Sequence, residues 1–146
     1  AALCHLIHET ISYPSSQMTE LPTQYHEGVA LFEQGKIEAA IEKFHDALMV
    51  EPSSHEIMDA LGSALQAEGN VAEAIRHYTM AFSLSGSTSD QALLHLGIAY
   101  AVREELEQAT KYFERALTIN PSNAKVHTLM STSDRSMLDA SLLEAH

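Results

Sequence analysis

The chain has 146 residues, 45% of them hydrophobic and 19% charged, which is enough for one domain with a real core and too apolar for a disordered tail. Asp and Glu number 20 against 8 Lys and Arg, a formal net charge of -12 that repels phosphate backbones and anionic lipid and so excludes nucleic acid as a natural partner. No run approaches the roughly 20 apolar residues of a bilayer-spanning helix, so membrane insertion is not expected.

The chain opens with AALCHLIHETISY. This stretch has no basic lead and is interrupted by His5, His8 and Glu9, so it makes a poor secretory signal. Its start on Ala1 rather than methionine reads as an excerpt or a processed form. Cys4 is the only cysteine, which rules out an intramolecular disulfide and points to a reducing, cytoplasmic setting. Leu3, Leu6, Ile7 and Ile11 share one side of a short leader helix over residues 1–13. Ala1-Ala2, Leu6 and Pro14-Ser15-Ser16 also echo Ala39-Ala40, Phe44 and Pro52-Ser53-Ser54, as if an earlier hairpin had left its second helix here. Residues 14–23 carry two prolines and several Ser/Thr and read as a linker.

Three helix–turn–helix hairpins follow. The first runs from about Gln24 to Glu51, turns at Gln34-Gly35-Lys36 and stops at Pro52. The second turns at Glu68-Gly69-Asn70 and stops at Gly86, and the third stops at Pro121. Their register is uniform. Gly28 to Gly62, Ala40 to Ala74, Phe44 to Tyr78, Ala47 to Ala81 and Pro52 to Gly86 are all 34 residues apart. The next step is 35 at each of these positions, reaching Gly97, Ala109, Phe113, Ala116 and Pro121, so one extra residue falls in the loop 85–90. A fixed period near 34 marks a stacked helical array. Small residues at 28, 62 and 97 and at 40, 74 and 109 let paired helices approach, and the rings at 44, 78 and 113 fill the space beneath. Residues 122–146 continue as a capping helix, with Ser122 or Asn123 at its N-cap and Val126, Leu129, Met130, Met137, Leu138 and Leu142 on one stripe. Ser131 to Asp134 is a place where it could bend or restart.

These residues resemble the tetratricopeptide repeat, whose pattern runs W-x2-L-G-x2-Y, then Ala, Phe and Pro. Leu96-Gly97-Ile98-Ala99-Tyr100 is the best copy of its core and Leu61-Gly62 the next. The opening aromatic is replaced by Gln24, Met58 and Leu93, and Glu104 stands in for the turn glycine of the third copy. The resemblance implies an all-α fold, a right-handed α-α superhelix. It divides the chain into leader and linker (1–20), three repeats (21–121) and cap (122–146). It also implies a non-enzymatic interaction module whose concave side, lined by first helices, holds a peptide or helix of a partner protein. By register that surface comprises Tyr25, His26, Val29 and Phe32, then Asp59, Ala60, Ser63 and Gln66, then Leu94, His95, Ile98 and Val102. Its ends are apolar and its middle small and polar, and the chain is acidic, so the expected partner is apolar with basic flanks.

Some members of the family grip acidic chaperone tails with a clamp of Lys, Asn and Arg. The matching positions here are Tyr25, Val29, Ala60, Gln91 and His95, with no lysine or arginine among them, so a carboxylate tail is disfavoured. No phosphate loop, HExxH or nucleophile elbow is present, and no cofactor is expected. Cys4 and His8 would share a helical face without the further ligands that zinc requires. Glu104-Glu105-Leu106-Glu107 reads as the acidic first turn of a helix. Two other readings stand beside the adaptor. The apolar leader could fill a neighbour's groove and build a homo-oligomer. Three repeats with a leading and a trailing helix are also similar in architecture to the small chaperones of type III secretion translocators.

Overall fold

The computed structural model describes residues 20–131. The leader helix, Cys4, His8, most of the linker and the far half of the C-terminal stripe lie outside the described residues. Among the described residues seven helices run in order: α1 Thr23–Glu33, α2 Ile37–Val50, α3 His55–Glu68, α4 Val71–Leu84, α5 Asp90–Val102, α6 Leu106–Ile119 and α7 Ala124–Ser131. Among the described residues there is no strand. The closest packing is within the pairs α1–α2, α3–α4 and α5–α6; beyond that, α2 packs on α3, α4 on α5 and α7 on α6. First helices also touch in succession, α1 on α3 and α3 on α5. Each hairpin therefore packs mainly on its neighbours, which is how a helical solenoid is built.

Turn chemistry sets the boundaries. Ser54, Asn70, Ser89 and Asn123 each accept a backbone N–H three residues on, so α3, α4, α5 and α7 begin with satisfied donors. Between α1 and α2, and between α3 and α4, Gly35 (φ 77) and Gly69 (φ 100) turn the chain through the left-handed region. In the third hairpin Glu104 does this with φ 63, a conformation that costs a side chain but not a glycine. Helix α6 consequently starts only at Leu106. Of the acidic run expected as its first turn, Glu107 alone lies in the helix, while Glu104 turns the chain and Glu105 pairs with Arg103 at 2.8 Å. The helix cannot start sooner, because the turn must occupy the same register as in the hairpins before it.

The predicted joint is present three times. Phe44, Tyr78 and Phe113 are buried, and Ala40, Ala74 and Ala109 lie against them in the same core. A Cβ added at Gly28 would stand 2.6 Å from Phe44 Cε1, and one at Gly62 would stand 2.6 Å from Tyr78 Cε1; at Gly97 the ring of Phe113 is nearer still. Each glycine is thus the seat of the ring opposite. Helix α5 lies at the centre of the stack. Leu93, Leu94, Leu96, Ile98, Ala99 and Ala101 are all buried, which leaves it apolar nearly all round, as an enclosed helix must be.

Helix α7 begins as a fourth first helix would. Its N-cap Asn123 follows Ser89 by 34 residues, and Val126 is fully buried at the place that Ile57 and Ala92 hold in α3 and α5. Asn120 and Asn123 both donate to Asp90 Oδ2, at 2.9 and 2.8 Å, and so tie the start of the cap to the start of α5.

Candidate functional site

The first helices place their candidate residues on one side of the stack, and at its middle this side is hollow. Phe32 of α1, Ser63, Gln66 and Ala67 of α3, Tyr78 of α4, His95 and Ile98 of α5 and Lys125 of α7 enclose a cavity of about 200 Å3. Five of these residues belong to the set that register assigns to the groove. Phe32 and Ile98 form an apolar wall, and Ser63 and Gln66 supply polar edges.

Two hydrogen-bond groups organise the polar part. The Tyr78 hydroxyl donates to Ser63 Oγ (3.3 Å) and Gln66 Oε1 (3.1 Å). Burial, the largest influence, pushes the Tyr78 phenol far above its ordinary value; the Ser63 contact pulls it down and the Asp59 carboxylate adds to the rise. The phenol is therefore a fixed neutral donor. His95 Nδ1 lies 2.9 Å from Asp59 Oδ1, a pairing between successive hairpins, and Gln91 Nε2 lies 3.2 Å from His95 Nε2. The His95 ring packs on Tyr78, with centroids 5.2 Å apart. Tyr25 continues the row at the other end: burial first, then the carboxylates of Asp59 and Glu56, raise its phenol above the ordinary value.

The remaining assignments are distributed differently. His26 is exposed and meets the Tyr25 ring edge-on at 5.3 Å. Val29 and Ala60 are half-buried against the core beside the groove. Leu94 is 1% exposed and belongs to the core, so it has no face to offer a partner. Its register equivalents, Tyr25 and Asp59, are polar at their tips and reach the surface, whereas a leucine at this central position packs inward. Val102 packs at the edge of the core and does not line the cavity; the register equivalent of Phe32 and Gln66 is Ala101, which is buried.

Two contributors escape a reading by first helices alone. Tyr78 belongs to a second helix, but a buried phenol needs a partner, and Ser63 and Gln66 were the polar residues within reach. Lys125 stands 34 residues after Gln91, so the same register, carried into α7, would have found it. Among the described residues no group of three or more His, Cys, Asp or Glu could hold a metal ion, and no helix is long and apolar enough to cross a membrane.

Stacked hairpins with a hollow on the side of their first helices define a helical repeat protein of the interaction type. Two tetratricopeptide repeat profiles match the chain, one over residues 25–88 and one over residues 91–123, and between them they take in all three hairpins. The chain belongs to the tetratricopeptide repeat family.

Among curated relatives, the Photosystem I assembly protein Ycf3 of Acaryochloris marina is 31% identical over 94 residues, covering 59% of this chain and 57% of that protein. The Hsp70-Hsp90 organising protein of Plasmodium falciparum is 27% identical over 120 residues, covering 82% of this chain and 47% of that protein. The chain thus spans about half the length of the curated relatives it matches. Neither relative is named for a catalytic activity. Among solved structures, the first TPR domain of human RPAP3 superposes with a TM-score of 0.71 at 24% identity, covering 84% of this chain and 94% of that one. The first TPR of Spaghetti, solved bound to the HSP90 peptide SRMEEVD, gives 0.68 at 23% identity, covering 82% and 90%. These likenesses confirm the fold.

Proposed function

We propose that this chain is a non-enzymatic adaptor that holds a segment of a partner protein in its concave groove. The observation that carries the proposal is the cavity between Phe32 and Ile98, an apolar wall faced by the hydroxyl and amide of Ser63, Tyr78 and Gln66. Its volume, about 200 Å3, suits one large aliphatic or aromatic side chain, and the polar edge suits the backbone of the segment bearing it. Relatives with the same fold support the reading, since one is an organising protein for two chaperones and one was solved with a peptide bound.

The peptide in that structure ends in acidic residues. This chain differs from such binders in the groove itself. The positions Tyr25, Val29, Ala60, Gln91 and His95 carry no lysine or arginine, and His95 already engages Asp59. Among the described residues Lys125 is the sole lysine or arginine lining the cavity, in a molecule with net charge -12. A segment with an apolar centre and basic flanks is therefore favoured, its charges acting mainly on the rate of encounter.

Calorimetry with a basic amphipathic peptide tests the proposal. The expected dissociation constant is around micromolar, about -8 kcal/mol. Phe32→Ala and Ile98→Ala should each weaken binding. Equal or tighter capture of an acidic tail would overturn the charge preference.

A further inference from the structure

The side formed by the second helices carries another groove. Phe82 of α4, Ser87 of the following turn, Leu93 of α5 and Arg115, Thr118 and Ile119 of α6 enclose about 310 Å3. The guanidinium carbon of Arg115 lies 5.3 Å from the centre of the Phe82 ring and 5.4 Å from that of Tyr112. Tyr112 in turn stacks on Tyr100, with centroids 5.2 Å apart and planes 8° from parallel. The guanidinium is therefore held by rings from two hairpins.

Among the described residues no carboxylate pairs with Arg115, as none pairs with Lys36 or Lys125, but Arg115 alone of these three lies beside exposed aliphatic side chains in an apolar groove. Beside it Ile119 is 39% exposed. At the same register position in the two preceding hairpins Leu84 is 41% and Val50 58% exposed, a row of aliphatic side chains along one edge of the stack. A clasp of cation and rings between hairpins accounts for Phe82 and Tyr112. It does not account for three exposed aliphatics in register beside a cation.

We propose that this edge docks a second partner segment, one in which an acidic side chain adjoins aliphatic ones. The carboxylate meets the guanidinium of Arg115, whose planar fork suits two parallel hydrogen bonds, and the aliphatics lie along Ile119 and Leu84. Three alternatives in charge can be compared. A purely aliphatic segment would cover Arg115 without compensating its charge, which is costly. A basic segment would add like-charge repulsion. An acidic one is repelled by the net charge at long range, but screening over about 8 Å at physiological ionic strength leaves the local contact to decide. This site does not depend on the concave groove and prefers the opposite charge.

Fluorescence anisotropy on the full chain tests it, with a labelled helical peptide carrying leucines at three- and four-residue spacing and two adjacent glutamates. Control peptides carry lysine for glutamate or serine for leucine. The glutamate–leucine peptide should bind, and either control should bind at least tenfold more weakly. Arg115→Gln and Leu84→Ser, both at exposed positions, should each weaken binding about tenfold with an unchanged helical spectrum, while Phe32→Ala leaves it unaltered. Absence of binding, equal binding of the lysine peptide, or equal binding by Arg115→Gln would overturn the proposal. Loss on Phe32→Ala would move the peptide to the concave site. Sedimentation showing a dimer abolished by Leu84→Ser would assign the edge to a second copy of the chain. Either result also overturns it.

Discussion

At the scale of the residue, the stack rests on three glycines whose role is the opposite of the usual one. Inside an exposed helix, replacing glycine by alanine gains about 1 kcal/mol, because the flexible residue is the poorer helix former. Gly62 is buried, and an added Cβ would stand 2.6 Å from Tyr78 Cε1, inside the ring's contact distance. The ring has no room to retreat, since it is 1% exposed. Gly62→Ala should therefore cost about 1–3 kcal/mol, read from urea or thermal unfolding. A stabilised variant would contradict the packing described. Glu104 offers the reverse case. It holds φ 63 where Gly35 and Gly69 hold the other turns, so Glu104→Gly should relieve about 0.5–1 kcal/mol of backbone cost, set against whatever its side chain contributes. The same unfolding curve measures it, and a loss of stability would show that the Glu104 side chain contributes more than its backbone costs.

The joint was legible residue by residue, because a helix pair can close only where a small residue faces a ring and that requirement leaves fixed letters at 28, 62 and 97. Tyr78 was legible as a ring but not as a hydroxyl. Its phenol crosses from the second helix to the groove, a direction that spacing within one helix does not reveal. Leu94 was misassigned for a related reason: register says which helical position a residue holds, but not whether its side chain is long and polar enough to reach water from there.

At the scale of the element, the cap is held by more than apolar contact. Burial alone would push the Asp90 carboxyl up. The side-chain amides of Asn120 and Asn123 and the backbone N–H groups of Asp90 and Gln91 outweigh it and hold the carboxyl below its ordinary value. A carboxyl whose folded value is depressed adds stability above its unfolded value of about 3.9 and loses it as the pH falls through the folded one. Thermal melts between about pH 7 and pH 3 should thus show a decline at the acid end that is shallower in Asp90→Asn. An identical pH profile in the two proteins would mean that Asp90 does not couple the cap to α5. The start of this helix was readable to within one residue, Ser122 or Asn123, and it is Asn123 that caps it, three positions before the buried Val126. The acidic run before α6 was misread because acidic residues favour both a first turn and the solvent outside it, and the missing turn glycine removed the mark that separates the two.

At the scale of the molecule, repetition made the fold legible. One period, seen in five columns of residues, fixed the number of hairpins and the side on which first helices gather. The hollow itself was less legible, since its outline depends on how far successive hairpins rotate and on a lysine contributed by the cap. In the proposed function a partner lies in this hollow. The most direct measurement is amide chemical-shift mapping of the labelled protein titrated with a basic amphipathic peptide. It should move the signals of Phe32, Ser63, Gln66, His95 and Ile98 together with a single saturation curve and leave those of Val50, Leu84, Arg115 and Ile119 on the opposite side in place. Saturable shifts confined to the second helices, with the concave residues unmoved, would contradict it.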